Sequence, residues 1–163
     1  MNEAKQIKAL EEIIEKLLKS DPGFFLVEVK ILQGNDIRVF IDADQGIAID
    51  KLVRYNRSLY KEIDESGLFP GSNFSLEVSS PGLEEPLKLH RQYLKNIGRY
   101  AEVIKNDGLK IEGKLLSASE MEIVLEEDKR RNQLKPKAGK KSEPVLHVIP
   151  VEMIKTTKIQ IKF

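Results

Sequence analysis

Few side chains in this sequence titrate near neutrality. There are two histidines, His90 and His147, and no cysteine. Imidazole is the usual general base at neutral pH, and thiolate the usual soft metal ligand and strong nucleophile. Without cysteine there is no disulfide framework, no thiolate catalysis and no cysteine metal site. No carboxylate falls at a sequence spacing that pairs with either histidine. His147 shares one face of a strand-like run with Val145 and Ile149, which predicts a packed or edge position. His90 opens a short helical stretch, where a capping role is natural. A nucleophilic serine needs a neighbouring base and oxyanion donors, and nothing marks a base beside Ser79 or Ser80. A Walker loop and a Rossmann glycine fingerprint are both absent. The residues point away from catalysis, and no cofactor is implied.

The run Asp42-Ala43-Asp44-Gln45-Gly46 invites a metal reading. A calcium loop places oxygens at alternate positions, glycine at the sixth and glutamate at the twelfth. Here glycine is fifth and the twelfth residue is Val53. The run reads as an acidic turn in which Gly46 delivers the chain to the next helix, and no metal site is expected.

Binding chemistry is better represented. Between residues 127 and 143, Lys129, Arg130, Arg131, Lys135, Lys137, Lys140 and Lys141 surround Pro136, Ala138 and Gly139, with almost nothing apolar. Such a segment buries too little surface to offset its ordering entropy, so it is expected to be mobile in the free protein. Its cations suit phosphates, each contact releasing a counterion. No aromatic residue is interleaved for base stacking, so the segment is expected to position a nucleic acid rather than read its sequence. The bland alternative is a solvated insertion with no partner.

A second candidate is Ser79-Ser80-Pro81-Gly82. Pro81 and Gly82 at the central positions predict a type II turn over 80–83, with φ > 0 at Gly82. The serine hydroxyls are left to bond backbone or a ligand. A mixed role is expected: Pro81 and Gly82 build the turn, and Ser79 and Ser80 are available to a partner.

The elements that must position these groups follow from periodicity. Residues 3–19 read as an amphipathic helix on Ile7, Leu10, Ile14 and Leu17, stopped by Asp21-Pro22-Gly23. Phe24 to Leu32 is a strand with Phe25, Val27, Val29 and Ile31 on one face; Phe24 and Leu26 make the start of the other face apolar. Gln33 to Asp36 is a hairpin turn, and the return strand carries Ile37, Val39 and Ile41. A helix from Asp50, as N-cap, to Ser66 ends at Gly67. Arg54, Arg57 and Lys61 form an exposed stripe on it, read as a solvated face with phosphate contact as the alternative. A strand into Ser79 follows, parallel to a neighbour. Residues 1–85 are thus an α/β sandwich of order α-β-β-α-β. Residues 86–98 form a semi-rigid connector with a short helix. From 99 to 163 the period is two. Asn106-Asp107-Gly108 signals a hairpin, Gly113 a bend or bulge, and Ile159, Ile161 and Phe163 a last strand. Five short bent strands predict a small closed barrel of the SH3 or Sm kind. The class is α+β.

Charge divides along the same line. Residues 1–90 hold eleven basic and sixteen acidic side chains, and residues 91–163 hold sixteen and ten, within a net charge of +1. Either one end faces a polyanion or the two surfaces only serve solubility. The first residues lack the apolar core of a signal peptide, and no apolar run reaches membrane-spanning length. A soluble cytoplasmic protein is expected.

The octapeptide Leu76-Glu77-Val78-Ser79-Ser80-Pro81-Gly82-Leu83, continued by Glu84-Glu85-Pro86-Leu87, resembles the signature segment of the RimP family of ribosome maturation factors. Asp42-Ala43-Asp44-Gln45-Gly46-Ile47 lies upstream at the family's spacing, and Asn96-Ile97-Gly98 downstream as its domain junction. The resemblance covers nearly the whole chain. Where the family usually has Asp-Arg, this chain has Glu84-Glu85, so an arginine contact with RNA is lost there. The resemblance implies a non-catalytic assembly factor that binds the immature small (30S) ribosomal subunit, promotes its late assembly and leaves. It implies contact with ribosomal RNA and a small-subunit ribosomal protein; the charge division then predicts that Lys129, Arg130, Arg131, Lys137, Lys140 and Lys141 face RNA and the acidic sandwich faces basic ribosomal protein or solvent. A monomer is expected. The alternative is a freestanding Sm-like RNA-binding module acting on messages or small RNAs.

Overall fold

The first helix, α1 (Glu3–Leu18), starts where the Asn2 side chain accepts the Lys5 amide at 2.9 Å. Leu10, Ile14 and Leu18 recur every four residues and are buried. The chain turns at Asp21 into β1 (Phe24–Leu32), which pairs antiparallel with β2 (Asp36–Ala43). Between them Gly34 and Asn35 both take positive φ, 81° and 56°. This is the turn chemistry a tight hairpin demands. The computed structural model describes residues 2–82, 85–127 and 144–160.

The single face expected for Phe25, Val27, Val29 and Ile31 does not hold. Val29 and Ile31 lie opposite Val39 and Ile37, but the register slips between Leu26 and Glu28. Val27 is therefore a bulge. With one extra residue, every side chain before it changes face. Leu26 lies opposite Ile41 and Phe24 opposite Ala43, on the core side, while Phe25 falls opposite Asp42 on the other side.

The second helix, α2 (Ile49–Ser66), begins two residues earlier than a cap at Asp50 implies. Its cap position is Ala48, with no side-chain cap bond, and Asp50 lies in the first turn rather than at the cap. The carboxylate still sits at the favourable end of the dipole. Gly67 ends the helix at φ 74°, the left-handed C′ conformation that glycine adopts without strain. Tyr55, Leu59 and Ile63 are buried. The chain then enters β3 (Ser75–Ser79), parallel to β2, to give the order β1-β2-β3. Both helices bury their stripes in one core with Val29, Ile37, Val39, Ile41 and Val78. That is the one-sided sandwich the pattern predicts.

The chain divides into two compact units, Met1–Pro81 and Gly82–Phe163. The second begins with α3 (His90–Lys95), in the stretch expected to connect domains. Tyr93 and Leu87 belong to the core of this unit. The Tyr93 hydroxyl meets Thr157 Oγ1 at 2.7 Å, both groups being buried. Gln92 Oε1 accepts the Lys88 and Leu89 amides at 2.7 and 2.9 Å and so closes the start of α3.

Five antiparallel strands follow: β4 (Tyr100–Lys105), β5 (Lys110–Ala118), β6 (Glu122–Glu127), β7 (Val145–Pro150) and β8 (Ile154–Ile159). Their order is β7-β6-β5-β4-β8. The edge strands β7 and β8 are joined only by a 3-10 turn, Val151–Met153. Four residue steps reach at most about 14 Å, whereas the edges of a flat five-stranded sheet lie about 19 Å apart. The sheet must curl. A Cβ on Gly113 would lie 2.6 Å from the Glu126 carbonyl oxygen. Gly113 therefore marks a close backbone approach, while the bulge in β5 falls between Leu115 and Ser117. The expected closed cylinder is not completed: no ladder pairs β7 with β8 among the described residues. Instead, the Leu87 amide donates to the Thr157 carbonyl at 2.8 Å, so the segment before α3 occupies the outer edge of β8. The last strand also begins earlier than expected, at Ile154; Ile161 and Phe163 lie outside the described residues.

Candidate functional site

The signature segment sits at the end of β3. Ser79 lies opposite Phe40, on the face it shares with Ser75 and Glu77 and away from the buried Val78. Ser80 is exposed. Among the described residues, neither serine hydroxyl makes a hydrogen bond. Gly82 is not among the glycines of positive φ, so the expected type II turn with Gly82 in the left-handed position does not form. The Glu85 amide donates instead to the Gly82 carbonyl at 3.0 Å, two residues further along the chain. Two prolines, Pro81 and Pro86, bracket this turn and fix φ on either side.

The cationic residues Lys129, Arg130, Arg131, Lys137, Lys140 and Lys141 lie outside the described residues. Their roots are described. Glu127 and Val145 are the last pair of the β6–β7 ladder, so both ends of the segment leave from one end of the sheet. Beside this root, His147 Nε2 lies 2.6 Å from Glu127 Oε2. The absence of a carboxylate paired with either histidine is thus corrected. A diagonal neighbour across an antiparallel ladder is invisible to sequence spacing, since twenty residues separate the two in the chain.

The body of the second unit carries little net charge. Residues 91–127 and 144–160 hold eight basic and eight acidic side chains, whereas residues 128–143 hold seven and two. The excess of positive charge in this half resides almost wholly in that segment. On α2, Arg54, Arg57 and Lys61 are all exposed. Asp50 and Glu65 stand four residues from Arg54 and Lys61 on the same side, which offsets the stripe. A solvated face accounts for it.

His90 lines a cleft of about 200 Å³ with Tyr93, Ser119, Glu120, Lys155 and Thr157, and His147 is not part of its lining. Ser119, the one serine of the lining, has its hydroxyl engaged in the β5–β6 turn. It donates to the Glu122 carbonyl and accepts the Met121 and Glu122 amides. Groups of three or more potential metal ligands do not occur among the described residues, and no helix among them is long and apolar enough to cross a membrane.

Sequence reasoning overlooked the second face of β7. Leu146 and Val148 are 58% and 57% exposed. The signal was present: in Val145-Leu146-His147-Val148-Ile149 both alternating sets are apolar, unlike the polar-out pattern of a solvated strand.

A one-sided α/β sandwich followed by a curled antiparallel sheet defines an α+β protein of two compact units. Comparison with known proteins narrows the class. Residues 11–84 match the family model described as RimP N-terminal domain. A protein of Christiangramia forsetii named ribosome maturation factor RimP is 34% identical over 154 residues, covering 94% of this chain and 97% of its own. Proteins of the same name from Flavobacterium psychrophilum and Cytophaga hutchinsonii are 36% and 34% identical, over 85% and 75% of this chain and 84% and 75% of their own. The chain belongs to the RimP family of ribosome maturation factors.

Proposed function

We propose that this protein is a ribosome maturation factor that binds the immature small ribosomal subunit and promotes its late assembly without catalysis. The similarity that spans 94% of the chain, to a relative bearing that name, carries the reading. Charge distribution supports the manner of binding. With the body of the second unit balanced, the segment holding Lys129, Arg130, Arg131, Lys137, Lys140 and Lys141 is the cationic group that meets the phosphates of ribosomal RNA. Ser79 and Ser80 offer hydroxyls at the end of β3, and Pro81 fixes the chain beside them. The acidic first unit faces a basic ribosomal protein or solvent. The protein acts as a monomer in the cytoplasm.

Sedimentation of the purified chain with small-subunit precursors tests the reading. Co-sedimentation should weaken about a thousandfold between 50 and 200 mM salt if roughly six phosphates are contacted. Replacing the six cations together by glutamine should remove most of that dependence. Binding that ignores salt, or affinity unchanged by the six substitutions, would count against it. Association with messages rather than subunit particles in a lysate would favour the Sm-like alternative.

A further inference from the structure

We propose that the outer edge of β7 is a docking site for an extended, cationic peptide segment of a partner protein, which joins the sheet as an added strand. The inference rests on the edge itself and goes beyond the ribosomal reading.

Strand β7 ends the sheet, with β6 as its only neighbour among the described residues. The Val151 amide donates to the Met121 carbonyl. That bond sets the alternation of the ladder, in which Ile149 and His147 exchange bonds with Ile123 and Leu125. The amides and carbonyls of Leu146 and Val148 therefore point to the open edge. Their side chains are more than half exposed on the outer face. Among the described residues, one pair thus offers both unpaired backbone and apolar surface.

Soluble proteins blunt such edges with lysine, bulges or inward charges. From Val145 to Ile149 the strand holds no lysine and its register with β6 is unbroken; Pro150 blunts only its end, and its one titratable side chain, His147, is engaged by Glu127 on the inner face. An edge of this kind takes an added strand, with backbone bonds giving affinity and alternate side chains giving selectivity.

Charge selects the occupant. On the outer face of β6, Glu122 and Glu126 flank Val124, opposite Pro150 and Leu146. Neither glutamate forms an ion pair among the described residues, although Lys114 stands opposite Glu126 on β5. Glutamates on both sides of an apolar strip repel a phosphate backbone, so RNA does not fit. A lysine or arginine on the added strand lays its aliphatic stem over Leu146 or Val148 and reaches a glutamate with its charged head.

The test uses the full chain, isotope-labelled for NMR, and two synthetic heptapeptides, one alternating lysine with valine and one alternating glutamate with valine. The lysine peptide should shift the Leu146 and Val148 amides and bind at least tenfold more tightly than the glutamate peptide at 50 mM salt. Val148→Lys, an exposed edge position, should reduce that binding at least tenfold with an unchanged melting temperature. Glu122→Gln with Glu126→Gln should erase the preference for the lysine peptide. Equal binding of both peptides, shifts confined to residues outside β6 and β7, or binding untouched by Val148→Lys would overturn the proposal. So would a concentration-dependent dimer whose interface contains β7, because a second copy would then own the edge. Loss of small-subunit co-sedimentation with peptide binding intact would sink the ribosomal reading and leave this one standing.

Discussion

The two units bury a sheet in different ways. In the first, β1, β2 and β3 give one face to two helices, and the core lies between layers. In the second, five strands curl so that their own inner face supplies nearly the whole core, with Tyr93 and Leu87 as additions from outside the sheet. A layer of helices tolerates small errors of shape, because side chains on two independent surfaces adjust to each other. A curled sheet does not, because its backbone must approach itself. The difference teaches where each unit is fragile: the first in its large side chains, the second in its smallest residue.

Leu59→Ala should show the first fragility. Leu59 is fully buried on α2, in the core that α1, α2 and the sheet share. Truncation should cost about 2–5 kcal/mol, read by denaturant unfolding and by loss of hydrogen-exchange protection in β2. Gly113→Ala should show the second. Its added methyl meets the Glu126 carbonyl oxygen at 2.6 Å. A backbone atom cannot swing aside as a side-chain tip does, so overpacking of about 1–3 kcal/mol is expected. Should Gly113→Ala prove neutral, the curl is looser than described and the contrast between the units weakens.

Polar anchors sharpen the same contrast. In the first unit, Asp21 ties the turn after α1 to α2. Its carboxylate accepts the Tyr55 hydroxyl at 2.6 Å and pairs with Lys51 at 3.0 Å, while the Lys51 ammonium stands 5.1 Å from the Tyr55 ring centre. The Tyr55 hydrogen bond, followed by Lys51, holds the Asp21 carboxyl below its ordinary range. Burial, and then Asp21 itself, raises the Tyr55 phenol. A depressed acid stabilises the fold above its unfolded pKa and loses that contribution as pH falls. A raised phenol contributes below its unfolded pKa and loses it as pH rises. Tyr55→Phe should therefore cost about 1 kcal/mol on a plateau between about pH 5 and 9, and less at either end. A cost independent of pH would remove Asp21 from the account. The second unit has its counterpart in Tyr93 and Thr157, where burial raises the phenol and the bond to Thr157 opposes it. Tyr93→Phe should also cost about 1 kcal/mol, with no loss on the acid side, because no carboxylate is involved.

Much of this was legible in the sequence, and the failures share a cause. The order α-β-β-α-β, the glycine at 67, the parallel third strand and the strands of the second unit follow from local period and turn chemistry. Val27 and the β5 slip at Leu116 are single extra residues in apolar runs, and nothing local distinguishes an extra residue from a paired one. The Glu127–His147 pair, the Asp21 network and the occupied edge of β8 each join residues far apart in the chain. Resemblance supplied the family, but it could not give the conformation of Gly82. Proline followed by glycine reads as a type II turn wherever it occurs, and only the positions of the flanking elements show that the hydrogen bond falls at Gly82–Glu85 instead.

The smallest expected effect on stability belongs to that glycine. Gly82 has no positive φ, and a Cβ built on it meets nothing within 4 Å. Gly67, by contrast, sits at φ 74°, where a side chain is strained. Gly82→Ala should leave stability unchanged or raise it by about 0.4–1 kcal/mol, since it removes freedom only from the unfolded chain; Gly67→Ala should destabilise. This pair separates two reasons for glycine in a signature. If Gly82→Ala folds normally yet loses small-subunit binding, the residue leaves room for a partner's close approach beside Ser79 and Ser80. If both stability and binding survive, Gly82 is dispensable and the serines must be tested alone. A marked loss of stability would instead restore a conformational demand at the junction.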